Sequence, residues 1–225
     1  MTAAETKTIR VAIDGPAGAG KSTVARRLAS ALGYTYVDTG AMYRAVAWAV
    51  LDAGISPNDG EAVCALAERV DIRLEQEQVF TGDTEITDKI RTPEISNLTS
   101  PLSALPCVRT RLASLQRDMG RRGGVVMEGR DIGTVVLPDA EVKVFLTASL
   151  SERVRRRREE LGEAGIALST AQLKADIAAR DERDASRDMA PMVPARDAIL
   201  LESDGLDIGQ VVSRILEYCK AKISL

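Results

Sequence analysis

Histidine is absent from this 225-residue chain. That absence removes Ser-His-Asp hydrolases, histidine-bound zinc centres and every imidazole proton shuttle at once. Whatever chemistry occurs must run on Lys, Arg, Asp, Ser and Thr. Cysteine is scarce: Cys64, Cys107 and Cys219 lie far apart with no CxxC spacing, which argues against a zinc site and leads us to expect reduced thiols filling a cytosolic core. No run of about 18 apolar residues occurs, so no transmembrane span is expected. The polar, charged stretch from Met1 to Thr8 lacks the apolar segment of a signal peptide and reads as a short frayed tail. Charge of one sign is also missing, the formal net charge being −3, so no global field draws the chain to nucleic acid or to an anionic membrane. Any anion binding must be local. These absences point to a soluble cytoplasmic protein with no nucleic-acid or membrane partner, and no internal repeat or low-complexity tract complicates the reading.

What is present is a chain that is 45% hydrophobic, enough to bury a sizeable core. Ile9 to Asp14 is a β-branched run ending in a glycine-rich turn, followed by a helical stretch from Lys21 to Leu32 with Gly33 as its carboxyl cap. Tyr34 to Asp38 reads as a second strand, and Ala41 to Ala53 and Glu61 to Arg69 as helices. Val70 to Leu74 and Gln78 to Thr81 read as short antiparallel strands that interrupt the alternation. Thr92 to Gly120 is helical in two pieces divided by Pro106, which suits a first helical turn. Strands are expected at Val125 to Glu128, Val142 to Leu146 and Ala198 to Leu201. Helices are expected after the Ser149 to Glu152 capping-box spacing, over Thr170 to Arg183, and over Ile208 to Lys222. Five βα-type units imply an α/β fold with a mostly parallel sheet and helices on both faces. The stretch 55–105 reads as an insertion, and 150–195 as a charged helical segment.

The strongest local signal is Gly15-Pro16-Ala17-Gly18-Ala19-Gly20-Lys21-Ser22, which fits GxxxxGK(S/T) directly after a strand and before a helix. Glycines let successive backbone N–H groups face one anion, and the helix amino terminus adds a favourable dipole. In such a loop Lys21 bridges the β and γ oxygens of ATP, and Ser22, followed by Thr23, offers a hydroxyl to Mg²⁺. The loop specifies a donor but not an acceptor. No NKxD guanine motif is present, nor a long apolar strand ending in a double acid, which favours a small-molecule kinase over GTPases and motor ATPases.

Two clusters at expected strand ends carry arginine: Asp38-Thr39-Gly40-Ala41-Met42-Tyr43-Arg44 and Glu128-Gly129-Arg130-Asp131-Ile132-Gly133-Thr134. Ligands gather at such strand ends in parallel sheets, so Arg44 and Arg130 are expected to converge on one anion. A third cluster runs from Arg180 through Asp184 to Arg187, and a fourth comprises Arg153 and Arg155 to Arg158. A solvated helix face laced with ion pairs is the alternative for the third cluster and the favoured reading for the fourth, in which Arg153 and Arg157 are those expected to reach ATP as a lid closes. A phosphate monoester has a second pKa of about 6 and needs positive charge to hold it more than a base to deprotonate it. Arginine forks in a chain without histidine therefore favour a phosphate acceptor. Three alternatives stay open on the residues alone: a kinase for UMP or AMP, a hydroxyl-metabolite kinase with Asp131 as base, and a nucleotide-gated module without turnover.

The segments IDGPAGAGKST, YVDTGAMYRAVA, IRTPEISNLTS, VMEGRDIGTVVLPDAEVKVFL and RDERDASRDMAPMVPA together resemble the bacterial cytidylate kinases from Ile9 to about Lys222. The phosphate loop is generic; GRDIGTVV and DTGAMYR are the more specific matches. The resemblance implies a P-loop kinase fold with a five-stranded parallel core (1–38, 106–150 and 195–225), an inserted monophosphate-binding domain (39–105) and a short helical lid (151–194). It implies a monomer that uses ATP and Mg²⁺ to phosphorylate CMP and dCMP. Position by position, it implies that Arg44, Arg130 and Arg187 hold the CMP phosphate. Thr39, Ser100, Arg109 and Asp131 resemble residues that approach or read cytosine, and Arg180 and Asp184 correspond to sugar contacts. Thr39 stands where some members have serine and Ser22 where some have glycine, so the magnesium contact of Ser22 is dispensable in those relatives.

Overall fold

The computed structural model describes residues 8–163 and 169–224; the expected tail lies outside the described residues except for Thr8. In chain order the elements are β1 (Arg10–Asp14), α1 (Lys21–Leu32), β2 (Thr35–Asp38), α2 (Thr39–Asp52), α3 (Gly60–Arg69), β3 (Ile72–Glu75), β4 (Gln78–Thr81) and β5 (Thr84–Glu85). A short 3₁₀ turn (Lys89–Arg91) precedes α4 (Pro93–Leu102), α5 (Pro106–Gly120) and β6 (Val125–Gly129). A π-helical turn (Ile132–Val136) leads to β7 (Val142–Thr147), α6 (Leu150–Glu163), α7 (Thr170–Ala185), β8 (Ile199–Glu202) and α8 (Ile208–Ile223). The chain divides into two compact units, one formed by 1–36 with 122–225 and the other by 37–121.

The first unit is built on a five-stranded parallel sheet in the order β2-β6-β1-β7-β8. β1 is central, running parallel to both β6 and β7, which explains why four of its five residues are fully covered. Val11 and Ile13, two residues apart and so on one face, pack with Val24 and Leu28 of α1 and with Val211, Ile215 and Cys219 of α8. Burial of each such aliphatic side chain contributes about 1.5–3 kcal/mol. α1 stops at Gly33, whose φ of 67° lets its N–H reach the carbonyls of Ala29 and Ser30. α8 starts with a reciprocal capping box between Asp207 and Gln210. α6 and α7 meet through Val154, Leu161, Leu173 and Ile177.

The second unit has its own core, in which Met42, Val46 and Val50 of α2 pack with Val63, Ile72, Val79, Ile90, Ile95, Val108 and Leu112. Its three-stranded sheet, β3-β4-β5, is antiparallel, one short strand more than the sequence reading. α2 begins at Thr39, ahead of the Ala41 start expected, because the Asp38 carboxylate accepts the Ala41 N–H at 2.9 Å and caps the helix. α5 packs on α3 inside this unit, whereas the sequence grouping 106–150 assigns it to the sheet. The apolar side of α5 fits the insert's core rather than the strands.

The cysteine expectation needs correction. Cys64 on α3 and Cys107 on α5 form a disulfide, with an S–S distance of 2.01 Å, instead of two reduced thiols. They are 43 residues apart in sequence with Cα atoms 5.6 Å apart; only the packing of α3 on α5 brings them together, and no local spacing encodes it. Cys219 fills the core as expected, and burial pushes its thiol up to about 11. Among the described residues no helix is long and apolar enough to cross a membrane.

By the chain-entropy model, closing a loop of 43 residues restricts the unfolded chain by about 4 kcal/mol. The double variant Cys64→Ser/Cys107→Ser is therefore expected to unfold at lower urea than the oxidised protein, and added dithiothreitol to reproduce the loss. Identical urea midpoints for all three samples would show that the bond does not constrain the chain in solution.

Candidate active site

The first unit presents an anion cradle. Gly15 follows β1 with φ 144°, and a Cβ there would fall 2.0 Å from the Leu146 carbonyl oxygen of β7, so no side chain fits. The loop then runs through Gly18 and Gly20, both at positive φ, and delivers the chain into α1. No side chain caps the amino terminus of α1, so its first N–H groups stay available to an anion. Lys21 is buried, and its Nζ donates to the Pro16 carbonyl at 2.8 Å. Burial first, then the nearby Arg130, lowers its ammonium to about 7. Ser22 and Thr23 stand exposed in the first turn of α1.

The helical arm built from α6 and α7 touches this loop. Arg153 is buried and donates to the Ala148 and Ala17 carbonyls at 3.1 Å each, and it pairs with Asp181 of α7. Asp181 in turn accepts the Ala17 N–H at 3.3 Å, so a carboxylate already sits on one donor of the cradle. Arg157, grouped with Arg153 by the sequence reading, pairs instead with Glu160 at 2.7 Å on α6. The guanidinium that reaches the loop beside Arg153 is that of Arg156, donating to the Ala19 carbonyl at 3.2 Å and to Ser203. Arg156 and Asp181 were not singled out from sequence, although the i, i+3 spacing of Arg153 and Arg156 marks a shared helix face.

Two of the expected acceptor arginines come together in this unit. Arg130, beyond β6, donates from Nε to Asp184 Oδ2 at 2.9 Å, and Arg187, beyond α7, pairs with the other carboxylate oxygen. Burial opposes ionisation of Asp184, but Arg130, Arg187 and Arg180 outweigh it and hold the carboxyl below its ordinary range. Two guanidiniums thus converge on one buried carboxylate. Asp131 is buried next to Arg130, its carbonyl accepting the Val135 N–H at 2.9 Å. Two further acids that carried no role in the sequence reading are buried here. Glu128 accepts the Tyr36 hydroxyl at 2.7 Å. Asp14, at the end of β1, accepts the N–H groups of Ile132 and Gly133; burial foremost pushes its carboxyl up to about 6, against the pull of those two bonds. An acid in the otherwise apolar run VAID was the available signal.

The remaining expected residues lie in the second unit. Thr39 is buried at the start of α2, and Arg44, one turn on, donates to Asp38 at 2.9 Å. Ser100 of α4 and Arg109 of α5 meet at one corner. Arg109 donates to the Ser103 carbonyl at 3.2 Å and lies over the Tyr43 ring, while the Ser103 hydroxyl donates to the Ser100 carbonyl at 2.8 Å. The Ser100 hydroxyl and the Arg44 Nε are buried without a hydrogen-bond partner, which leaves both with unused capacity for a polar ligand.

The donor set can be tested against magnesium. Among the described residues no three His, Cys, Asp or Glu side chains gather as a metal cage, and Ser22 offers one exposed oxygen. Such a site suits an ion that keeps its waters and binds chiefly through substrate phosphates.

A family model described as cytidylate kinase matches residues 11–221. The cytidylate kinase of Desulfitobacterium hafniense (strain Y51) is 50% identical over 220 residues, covering 96% of this chain and 95% of that protein. The cytidylate kinase of an Exiguobacterium species (strain ATCC BAA-1283 / AT1b) is 48% identical over 222 residues, covering 96% and 99%. Among solved structures, a shikimate kinase from Acinetobacter baumannii superposes with a TM-score of 0.50 at 14% identity over 96% of this chain and 95% of that one, a likeness of fold alone. With a phosphate loop, a buried lysine and a family match spanning nearly all of its length, this chain belongs to the cytidylate kinase family.

Proposed function

We propose that the protein transfers the γ-phosphoryl group of ATP to CMP and dCMP, giving CDP and dCDP, by direct in-line displacement. The observation that carries this reading is the joining of Arg130 and Arg187 on Asp184 in the same unit as the phosphate loop. A kinase acting on a hydroxyl needs a base; one acting on a phosphate needs surplus positive charge. The backbone N–H groups of Gly15 and residues 17–20, Pro16 having none, and the α1 amino terminus hold the β and γ phosphates. Lys21 lies between them, its ammonium restored by the phosphate charge that replaces the Pro16 carbonyl as its partner. Arg153 and Arg156, whose guanidiniums reach the loop, are assigned to the ATP side in place of Arg157, and Ser22 to the magnesium that accompanies ATP. When bound, that ion neutralises charge on the transferring group.

On the acceptor side Arg44, Arg130 and Arg187 hold the CMP phosphate, and Arg180 and Asp184 the sugar. Asp131 accepts from the cytosine amino group, while Arg109 and Ser100 donate to its carbonyl and ring nitrogen and Thr39 approaches the base. The unused Ser100 hydroxyl and Arg44 Nε support these roles. Positioning and charge neutralisation do the work, with no covalent enzyme intermediate. The reading carries with it a cytoplasmic monomer acting on free nucleotides, which the family resemblance implies.

A coupled assay of ATP consumption with CMP, dCMP, UMP, AMP and no acceptor is the direct test. Turnover is expected with CMP and dCMP; turnover only with a hydroxyl metabolite, or none with any acceptor, would overturn the proposal. Lys21→Ala is expected to lower kcat by on the order of 10³-fold with an unchanged circular dichroism spectrum. Near wild-type turnover would remove Lys21 from the mechanism. Asp131→Ala is expected to erode the preference for CMP over UMP more than the affinity for ATP, whereas equal losses with both acceptors would reject base reading by Asp131.

A further inference from the structure

We infer that Asp14 is a positioning residue for the phosphoryl acceptor: its carboxylate clamps the backbone of Ile132 and Gly133 and thereby sets the chain that carries Arg130 and Asp131. The inference rests on the acceptor roles proposed for those two residues. Asp14 is the last residue of β1, directly before the phosphate loop, and is 5% exposed. One carboxylate oxygen accepts the Ile132 N–H at 2.8 Å and the other the Gly133 N–H at 2.7 Å. These are the first two N–H groups of the π-helical turn, whose later N–H groups of Val135 and Val136 return to the Asp131 carbonyl. The leading N–H groups of any helical turn have no partner within it. A buried carboxylate from the neighbouring strand supplies one.

Three neighbours make the clamp specific. Gly133 permits it, because a Cβ at that position would lie 3.4 Å from Asp14 Oδ2 and 3.3 Å from the Lys143 side chain. Lys143 is itself held away from the clamp, its ammonium donating to both oxygens of Asp197 at 2.9 Å. Ile132, 1% exposed, anchors the turn in the interior. With both peptide planes pinned, the Cα positions of Asp131 and Arg130 are set one and two residues upstream. Burying a carboxylate is costly unless its hydrogen bonds are met, and here each oxygen accepts one N–H. Two converging N–H donors need two acceptor oxygens. An amide offers one oxygen and turns an N–H₂ group toward the second donor.

Asp14→Asn is therefore the informative variant, with Asp131→Ala as the reference arm. Expected for Asp14→Asn are a near-native thermal melt and affinity for a fluorescent ATP analogue within about threefold of wild type. The loss falls on the acceptor: a kcat/KM for CMP at least about tenfold lower and a narrowed preference for CMP over UMP, in the direction shown by Asp131→Ala. Faster amide hydrogen exchange at residues 132 and 133 should accompany it. Unchanged CMP kinetics, or a loss that falls equally on ATP affinity, would overturn the inference while leaving the acceptor proposal standing. Should Asp131→Ala and Arg130→Ala leave CMP kinetics unchanged, the acceptor reading itself fails. If Asp14→Asn does not fold, Asp14→Ser, which keeps one hydroxyl acceptor without the extra amide donors, gives the same readouts with the same two outcomes.

Discussion

Buried charge balance is the constraint on which the first unit depends. Arg130 and Arg187 share the carboxylate of Asp184, and Lys21 sits buried within the electrostatic reach of Arg130. Left alone, cations so close would repel one another and resist burial. Asp184 offsets part of the arginines' charge and holds the two guanidiniums in one place. The same compromise explains why Asp184 stays ionised in spite of its burial.

A second carboxylate acts at the donor loop. Asp181 joins the Ala17 N–H to Arg153, and Arg156 links Ala19 to Ser203 at the end of β8. The loop is therefore supported from outside by side chains of α6 and α7 as well as by its own glycines. α7 contributes to both groups, carrying Asp181 toward the loop and Asp184 toward Arg130. They are three positions apart, which places them as neighbours on one helix surface. A shift of that helix would move both contacts together.

Much of this was readable from sequence where the physics is local. The phosphate loop, the extent of α1 with Gly33 as its stop, and Pro106 at the head of α5 all follow from short-range conformational rules, and the structure places them as expected. The family resemblance named Arg130 and Arg187 together, and the structure brings both onto Asp184. What escaped was non-local. The Cys64–Cys107 bond depends on α3 meeting α5, and the Asp14 clamp depends on β1 and the π-helical turn lying side by side. Choosing Arg156 over Arg157 at the loop required the rotation of α6, which a run of four consecutive arginines conceals. The early start of α2 is the exception, since Asp38 is a local cap for the helix as well as part of a strand-end loop of the kind that gathers ligands.

The meeting of Gly15 with the Leu146 carbonyl has a consequence for how this protein can vary. Since even one carbon atom at position 15 would collide with the main chain of β7, the entrance to the loop is held by the backbone of another strand, which cannot mutate out of the way. Position 15 is therefore confined to glycine for as long as β7 keeps its course, whatever changes elsewhere in the chain.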